Sequence, residues 1–217
     1  MYVVIIGCGR VGRGLAQQLS MNGNDVVVVD KEVSRFQELG PNFDGLTVEG
    51  DGTDQDVLTK AGGSKADVFA VVTDDDNTNL MACQIAKRVF KVQNVIARVN
   101  DPEKESLYKD AGIDATVCPT TIAVTHLRNS IMHPGLIALM TVNEGGIEIN
   151  KVEVKGPVIG KALKDVHLPE GAIIAALVRG SKAIVPDSDT ILQEGDIAVV
   201  VNLAGASGKV EDILTKG

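Results

Sequence analysis

Short runs of β-branched and aliphatic residues alternate with longer amphipathic stretches through the first 118 residues of the chain. The runs are Tyr2–Ile6, Val26–Val29, Leu46–Val48, Val68–Val72, Val95–Val99 and Ala115–Cys118. Brief, continuously apolar runs of this kind predict strands buried on both faces. Between them, helices are predicted near 11–22, 31–40, 54–61, 77–90 and 102–111. Asp54 is placed to cap the third helix, and Asn77 or Asp76 the fourth. Asp101-Pro102 reads as an N-cap followed by proline at the first helical position. Gly40, Gly62 and Gly112 stand where helices should stop. Regular strand–helix alternation predicts the α/β class, a Rossmann-like doubly wound parallel sheet with helices on both faces.

The pattern changes after residue 118. Ile122, Val124, Leu127, Ile131 and Met132 fit one more helix, closed by His133-Pro134-Gly135. Beyond it come short strands at Leu136–Val142, Ile147–Val154, Ala172–Arg179, Ala183–Val185 and Ile197–Val201. Turn signals separate them at Glu144-Gly145-Gly146, Pro169-Glu170-Gly171, Gly180-Ser181-Lys182 and Glu194-Gly195-Asp196. Helices are expected only near 160–164 and 207–215. The division is therefore a Rossmann domain at 1–118, a linker helix at 119–135 and a smaller α+β domain at 136–217.

Composition narrows the function classes. Hydrophobic residues make up 44% and charged residues 23% of 217, which is ordinary for a globular chain. The longest apolar run, Ala172–Val178, falls far short of the roughly 20 residues of a membrane span. The amino-terminal run carries no basic leader, so a soluble, cytosolic chain is expected. The net charge of −8 is spread, with 13 basic and 18 acidic residues before His133 and 8 and 11 after it. No basic stripe for nucleic acid stands out. Three cysteines, Cys8, Cys83 and Cys118, without CxxC spacing read as reduced and buried.

The chemistry concentrates at Gly7-Cys8-Gly9-Arg10-Val11-Gly12, a G-x-G-x-x-G between a strand and a helix. Gly7 permits the tight turn, Gly9 lets backbone approach a pyrophosphate, and Gly12 lets helix pack on strand. The helix N-terminus then offers free N–H groups to phosphate. Asp30 ends the second strand, placed to accept from ribose hydroxyls. A carboxylate there disfavours the 2′-phosphate of NADP, although Lys31 follows. NAD(H), ATP, ADP and AMP all stay open. Asp51 and Gly52, after the third strand, belong at the adenine end. Thr73, Asp74 and Asn77, after the fourth, belong across the switch point, with Asp75 and Asp76 read as solvated helix-start charges. Arg10 is placed to meet a β- or γ-phosphate, with Arg13 beside it. Arg98 is costly among apolar strand residues unless paired: an internal salt bridge and a phosphate or subunit contact both fit.

No proton donor for hydride chemistry stands out. Tyr108 lacks a lysine four residues on, and His126, His133 and His167 have no evident catalytic partner. The chain reads as a ligand sensor without catalysis.

These segments resemble the RCK (KTN) regulators of potassium transport, and more closely the gating subunits of Trk/Ktr-type uptake systems. The resemblance rests on the glycine turn, Val28-Val29-Asp30, Gly50-Asp51-Gly52-Thr53, Thr73–Leu80 and Ala97-Arg98-Val99-Asn100-Asp101-Pro102. Leu177-Val178-Arg179-Gly180, Ile184-Val185-Pro186 and Glu194-Gly195-Asp196-Ile197 resemble the TrkA-C (RCK-C) domain. The resemblance implies a non-enzymatic, nucleotide-responsive homo-oligomer. Its dimers would form through the Rossmann lobes and helix 120–133, and assemble into a tetrameric or octameric ring. The ring would dock from the cytoplasm on a membrane potassium-translocating subunit of the TrkH/KtrB kind. ATP or NADH would favour one ring shape, ADP or NAD another, with Arg10 at the γ-phosphate. Some relatives use a glutamate after the sixth strand with a divalent ion; here Cys118-Pro119-Thr120-Thr121 stands there, so no metal is implied. Some C-terminal domains of the family bind cyclic di-AMP, and Arg179 stands near the relevant strand. An NAD-dependent oxidoreductase and an RCK-type regulator of a non-potassium transporter are the alternatives.

Overall fold

The structure, a computed structural model, describes residues 1–142 and 146–216. Two compact units divide it, Met1–Ile122 and Ala123–Gly217. Six parallel strands build the first: β1 (Tyr2–Ile6), β2 (Asp25–Asp30), β3 (Leu46–Glu49), β4 (Val68–Val71), β5 (Asn94–Arg98) and β6 (Ala115–Val117), in the order β3-β2-β1-β4-β5-β6. The strand order reverses between β1 and β4, which sets a crevice at the carboxyl ends of the strands. Helices α1 (Arg10–Met21), α2 (Val33–Phe36), α3 (Gln55–Lys60), α4 (Asp76–Arg88) and α5 (Glu105–Asp110) connect them, and α6 (Pro119–Met132) follows β6.

The continuous apolar runs resolve by alternation. Val3, Ile5, Val26 and Val28 pack on one face of the sheet with Ala16 and Leu39. Val4, Ile6, Val27 and Val29 pack on the other with Leu58, Ala82, Cys83 and Tyr108. Each fully buried valine or isoleucine contributes about 1.5–3 kcal/mol relative to exposure. Burial on both faces fails at the two edge strands, where Leu46 of β3 and Val117 of β6 are exposed.

Several local expectations need correction. The helix expected over 31–40 is one α-turn followed by a 3-10 turn, Gln37–Leu39. The cap of α4 is Asp75, which accepts from the Thr78 N–H at 2.7 Å, rather than Asn77 or Asp76. Asp54 and Asp101 cap as expected, accepting from Asp56 and Glu103 N–H.

The second unit holds an antiparallel sheet of β7 (Leu136–Val142), β8 (Ile147–Glu153), β9 (Ala172–Arg179), β10 (Lys182–Ile184) and β11 (Ile197–Leu203), in the order β10-β9-β11-β8-β7. Helix α7 (Ser207–Thr215) packs Val210 and Leu214 against Leu136, Val152, Leu177 and Val200. The expected helix near 160–164 is replaced by 3-10 turns at Gly156–Val158 and Leu163–Asp165. Of the expected turn at 144–146, Glu144 and Gly145 lie outside the described residues.

Ala206 before α7 carries no capping side chain. A buried polar cluster serves that end instead. The Ser207 hydroxyl donates to Glu148 and accepts from Asn202 Nδ2 at 3.0 Å, while Asn150 Nδ2 donates to Asn202 Oδ1 at 2.8 Å. A carboxylate at a helix N-terminus is favoured by the helix dipole.

Candidate functional site

The glycine turn crosses the end of β1. Gly7 has φ +102°, and its N–H donates to the Val29 carbonyl at 2.8 Å, tying β1 to β2. A side chain there would be strained and would press on Thr73. A Cβ on Gly12 would collide with the Gly7 carbonyl, so α1 approaches the turn as only glycine allows. Gly9 is extended, with open space where a Cβ would stand, and begins α1 without a side-chain cap or an acidic residue in the first turn. The helix therefore presents unsatisfied N–H groups to the crevice.

Asp30 is buried at the end of β2. Its Oδ2 accepts from the Cys8 N–H at 2.6 Å and its Oδ1 from the Glu32 N–H at 2.9 Å. Arg35 Nη1 lies 3.4 Å from Oδ2, while Arg35 Nε and Nη2 donate to Glu32 at 3.1 and 2.7 Å. Arg35 is the site residue that sequence reading missed. Its only signal was the Glu32/Arg35 spacing of three just past Asp30.

The far wall is built by Asn79, also missed. Its buried carboxamide accepts from the Thr73 N–H at 3.1 Å and donates to the Thr73 and Arg98 carbonyls at 3.1 and 3.0 Å. The bridge lies beyond Val71↔Ala97, where β4–β5 pairing ends. Asp76 is not a solvated charge: it is buried and accepts from the Asn100 and Asp101 N–H groups at 2.7 and 3.0 Å. Tyr108, in turn, donates its hydroxyl to the Asp76 carbonyl at 2.8 Å. The salt bridge considered for Arg98 is absent among the described residues, and its buried Nε has no hydrogen-bond partner.

The crevice has two adjoining wings of about 200 and 410 Å³. Asp30, Lys31, Glu32, Gly52 and Asp75 line the first, which is acidic. Cys8, Gly9, Arg10, Val11, Glu38 and Arg98 line the second, which is richer in arginine. Gly7, Arg35, Thr73 and Asp74 border both. Three expected site residues lie outside this lining. Gly12 is packed beneath the turn, and Asn77 is exposed on α4. Asp51 is engaged by the Thr53 N–H and hydroxyl at 2.9 and 2.8 Å and by Lys31 at 2.9 Å. The Thr53 N–H foremost, then Lys31, holds the Asp51 carboxyl below the usual carboxylate range. Arg13 pairs with Glu38, which leaves Arg10 and Arg98 as the unpaired arginines of the second wing.

In the second unit Arg179 is engaged rather than open to a ligand. Its Nε and Nη2 fork onto the buried Asp196 carboxylate at 2.7 and 2.8 Å, and Nη2 also donates to the Ile191 carbonyl.

A TrkA-N domain model matches residues 3–119 and a TrkA-C domain model residues 149–214. The chain is 36% identical over its full length, and over 97% of the relative's, to the Trk system potassium uptake protein TrkA of Streptomyces coelicolor. Among solved structures it resembles the GsuK channel over 100% of this chain and 40% of that one, with TM-score 0.70 and 21% identity, a likeness of fold. GsuK bound to ADP matches at 27% identity over 61% of this chain and 34% of that one, with TM-score 0.54. The chain thus spans less than half the length of those channel chains. With its two halves matched in order and its length shared with a TrkA relative, the chain belongs to the TrkA family, a TrkA-N domain followed by a TrkA-C domain.

Proposed function

We propose that this chain is a nucleotide-binding regulatory subunit of a Trk-type potassium uptake system, and that the crevice at the β1/β4 switch point holds an adenine nucleotide. Members of the TrkA family are regulatory, non-enzymatic components of potassium uptake. The observation that carries the ligand is the polarity of the crevice. Its second wing combines an uncapped helix start, open space beside Gly9 and a buried Arg98 Nε without a partner. An anion fits the open space, accepts from the free helix N–H groups and meets the positive charge of Arg10 and Arg98. Its first wing supplies carboxylates, foremost Asp30, for ribose hydroxyls. The residues therefore fit a nucleotide with its phosphates at Gly9, Arg10 and Arg98 and its ribose at Asp30; ADP in the GsuK relative is consistent with this. The bound nucleotide supplies negative charge and no reacting bond.

Control follows from differential affinity. A ligand shifts an equilibrium only as far as it binds one state better. An extra phosphate at Arg10 and Arg98 adds charge-assisted hydrogen bonds that ADP or AMP cannot make. Typical couplings are about 1–3 kcal/mol per site. The exposed apolar residues of α6, among them Ile122, Val124, Leu127 and Ile131, are the surface on which copies of the chain associate. The assembled form would act on a membrane potassium-translocating subunit from its cytoplasmic side. Among the described residues no helix is long and apolar enough to cross a membrane.

The test is calorimetric titration of the ligand-stripped protein with ATP, ADP, NADH, NAD and AMP, with light scattering of each sample. Binding with affinity lowered about tenfold or more by Arg98→Ala is expected. No heat with any of the five would refute the nucleotide site, and a monomeric mass throughout would refute assembly through α6.

A further inference from the structure

Arg35 stands at the junction of the two wings, and among the described residues it is the one cation that lines both. Its hold is uneven. One edge of the guanidinium is fixed to Glu32 by bonds of 3.1 and 2.7 Å. The remaining arm, Nη1, touches Asp30 at 3.4 Å, near the limit of a hydrogen bond. Asp30 does not depend on that arm, because the Cys8 and Glu32 N–H groups fix both of its oxygens. The Arg35 carbonyl accepts from the Cys8 thiol at 3.5 Å, so its backbone is tied to the glycine turn itself.

We propose that Arg35 is an exchange residue: its Nη1 arm leaves Asp30 for the nucleotide's first phosphate, and the carboxylate edge it vacates takes the ribose hydroxyls. The inference rests on the nucleotide reading of the crevice and specifies how that site chooses its ligands. A long ion pair at 3.4 Å is exchanged for a shorter charge-assisted contact to phosphate. Each carboxylate oxygen keeps a free acceptor position for a hydroxyl. The two halves of the ligand are thereby recognised together. Adenosine without phosphate must compete with Nη1 for Asp30 and gains nothing in return. A phosphate without a ribose draws the arm away but leaves Asp30 without a new donor. The geometry thus assigns to Arg35 a preference for 5′-phosphorylated nucleosides, separate from any reading of the terminal phosphate by Arg10.

The test compares adenosine, AMP and ADP binding to the full chain and to Arg35→Ala by calorimetry, with thermal unfolding of each variant. Wild type is expected to prefer AMP to adenosine, and Arg35→Ala to reduce that preference about tenfold. Adenosine affinity should hold or rise by about a few-fold, since Asp30 keeps its two N–H donors and loses the arm that competed for it. Should Arg35→Ala fail to fold, Arg35→Lys retains a charge for Glu32 but has no second arm, and the same narrowing is expected. An unchanged AMP-to-adenosine ratio would overturn the exchange while leaving the nucleotide site standing. Equal loss of both ligands would reduce Arg35 to a prop for the loop and also overturn it. If wild type binds none of the three, the nucleotide reading fails and the exchange falls with it.

Discussion

Replacing Asn79 by alanine removes the bridge that continues β4–β5 pairing past its last rung. Four contacts vanish, but they are not equal. The Thr73 carbonyl still accepts from Asn100 Nδ2 at 3.3 Å, and the Thr73 hydroxyl still reaches the Asp75 carbonyl at 3.2 Å. The Thr73 N–H and the Arg98 carbonyl lose the partner described for them. A buried backbone group left unsatisfied costs about 1–3 kcal/mol. Thr73 is only half-buried at the crevice rim, where water relieves part of the penalty. The expected loss is therefore about 2–4 kcal/mol, a large part of the stability of a typical domain. With no tryptophan in the chain, urea unfolding followed by far-UV circular dichroism is the assay. Asn79→Asp separates hydrogen bonding from shape, because it keeps the volume and the acceptors but, once ionised, has neither donor. Its carboxylate would face the Thr73 and Arg98 carbonyls. Burial raises such a group's folded pKa, so stability is retained at low pH and lost as pH rises through that value. Asn79→Asp should accordingly be less stable at pH 8 than at pH 5. An Asn79→Ala loss below about 1 kcal/mol would show that the bridge adds little beyond what water replaces.

Two further outcomes follow from ionisable groups. Hydrogen bonding to Arg179 foremost, with help from the Gln193 N–H, holds the Asp196 carboxyl below the usual range. That stabilisation is present above the ordinary carboxylate pKa of about 4 and is lost as pH falls through the depressed value. Asp196→Asn should thus unfold at lower temperature than wild type at pH 7, with the gap closing in acid; a constant gap from pH 7 to 3 would contradict the pairing. The three cysteines are buried and unpaired, and burial pushes the Cys83 thiol up to about 12. The native protein should react with no thiol reagent at pH 8 and the urea-unfolded protein with three equivalents; rapid native labelling at Cys83 would contradict its burial.

The architecture was legible because its signals were redundant. Runs such as Tyr2–Ile6 and Val26–Val29 could fill two faces only in a covered parallel sheet, and the glycine turn marked the crevice. The failures were local. Asp75 and Asp76 read as solvent-facing, yet Asp76 turns inward because the loop after β5 presents two N–H groups to it. The stretch near 160–164 lacks a buried apolar stripe long enough to hold a helix, so it settles into single turns. Arg35 escaped notice because its partners Glu32 and Asp30, though local, read as an ordinary surface pair and a ribose ligand, and Asn79 because its partners are backbone groups of two strand ends. Asn79 bonds a residue 19 positions away, a pairing that no local spacing encodes.

The polar cluster beneath α7 bears on where this chain can be cut or joined. Glu148 and Asn150 belong to β8, yet the hydroxyl that both bond comes from Ser207, 59 and 57 positions later. The last helix is thus no detachable tail. A fragment ended before Ser207 leaves a carboxylate and two carboxamides of the sheet without that partner, and uncovers the apolar residues that Val210 and Leu214 had shielded. Fusions and truncations meant to keep the small domain folded should start beyond Thr215, past the helix that covers its sheet.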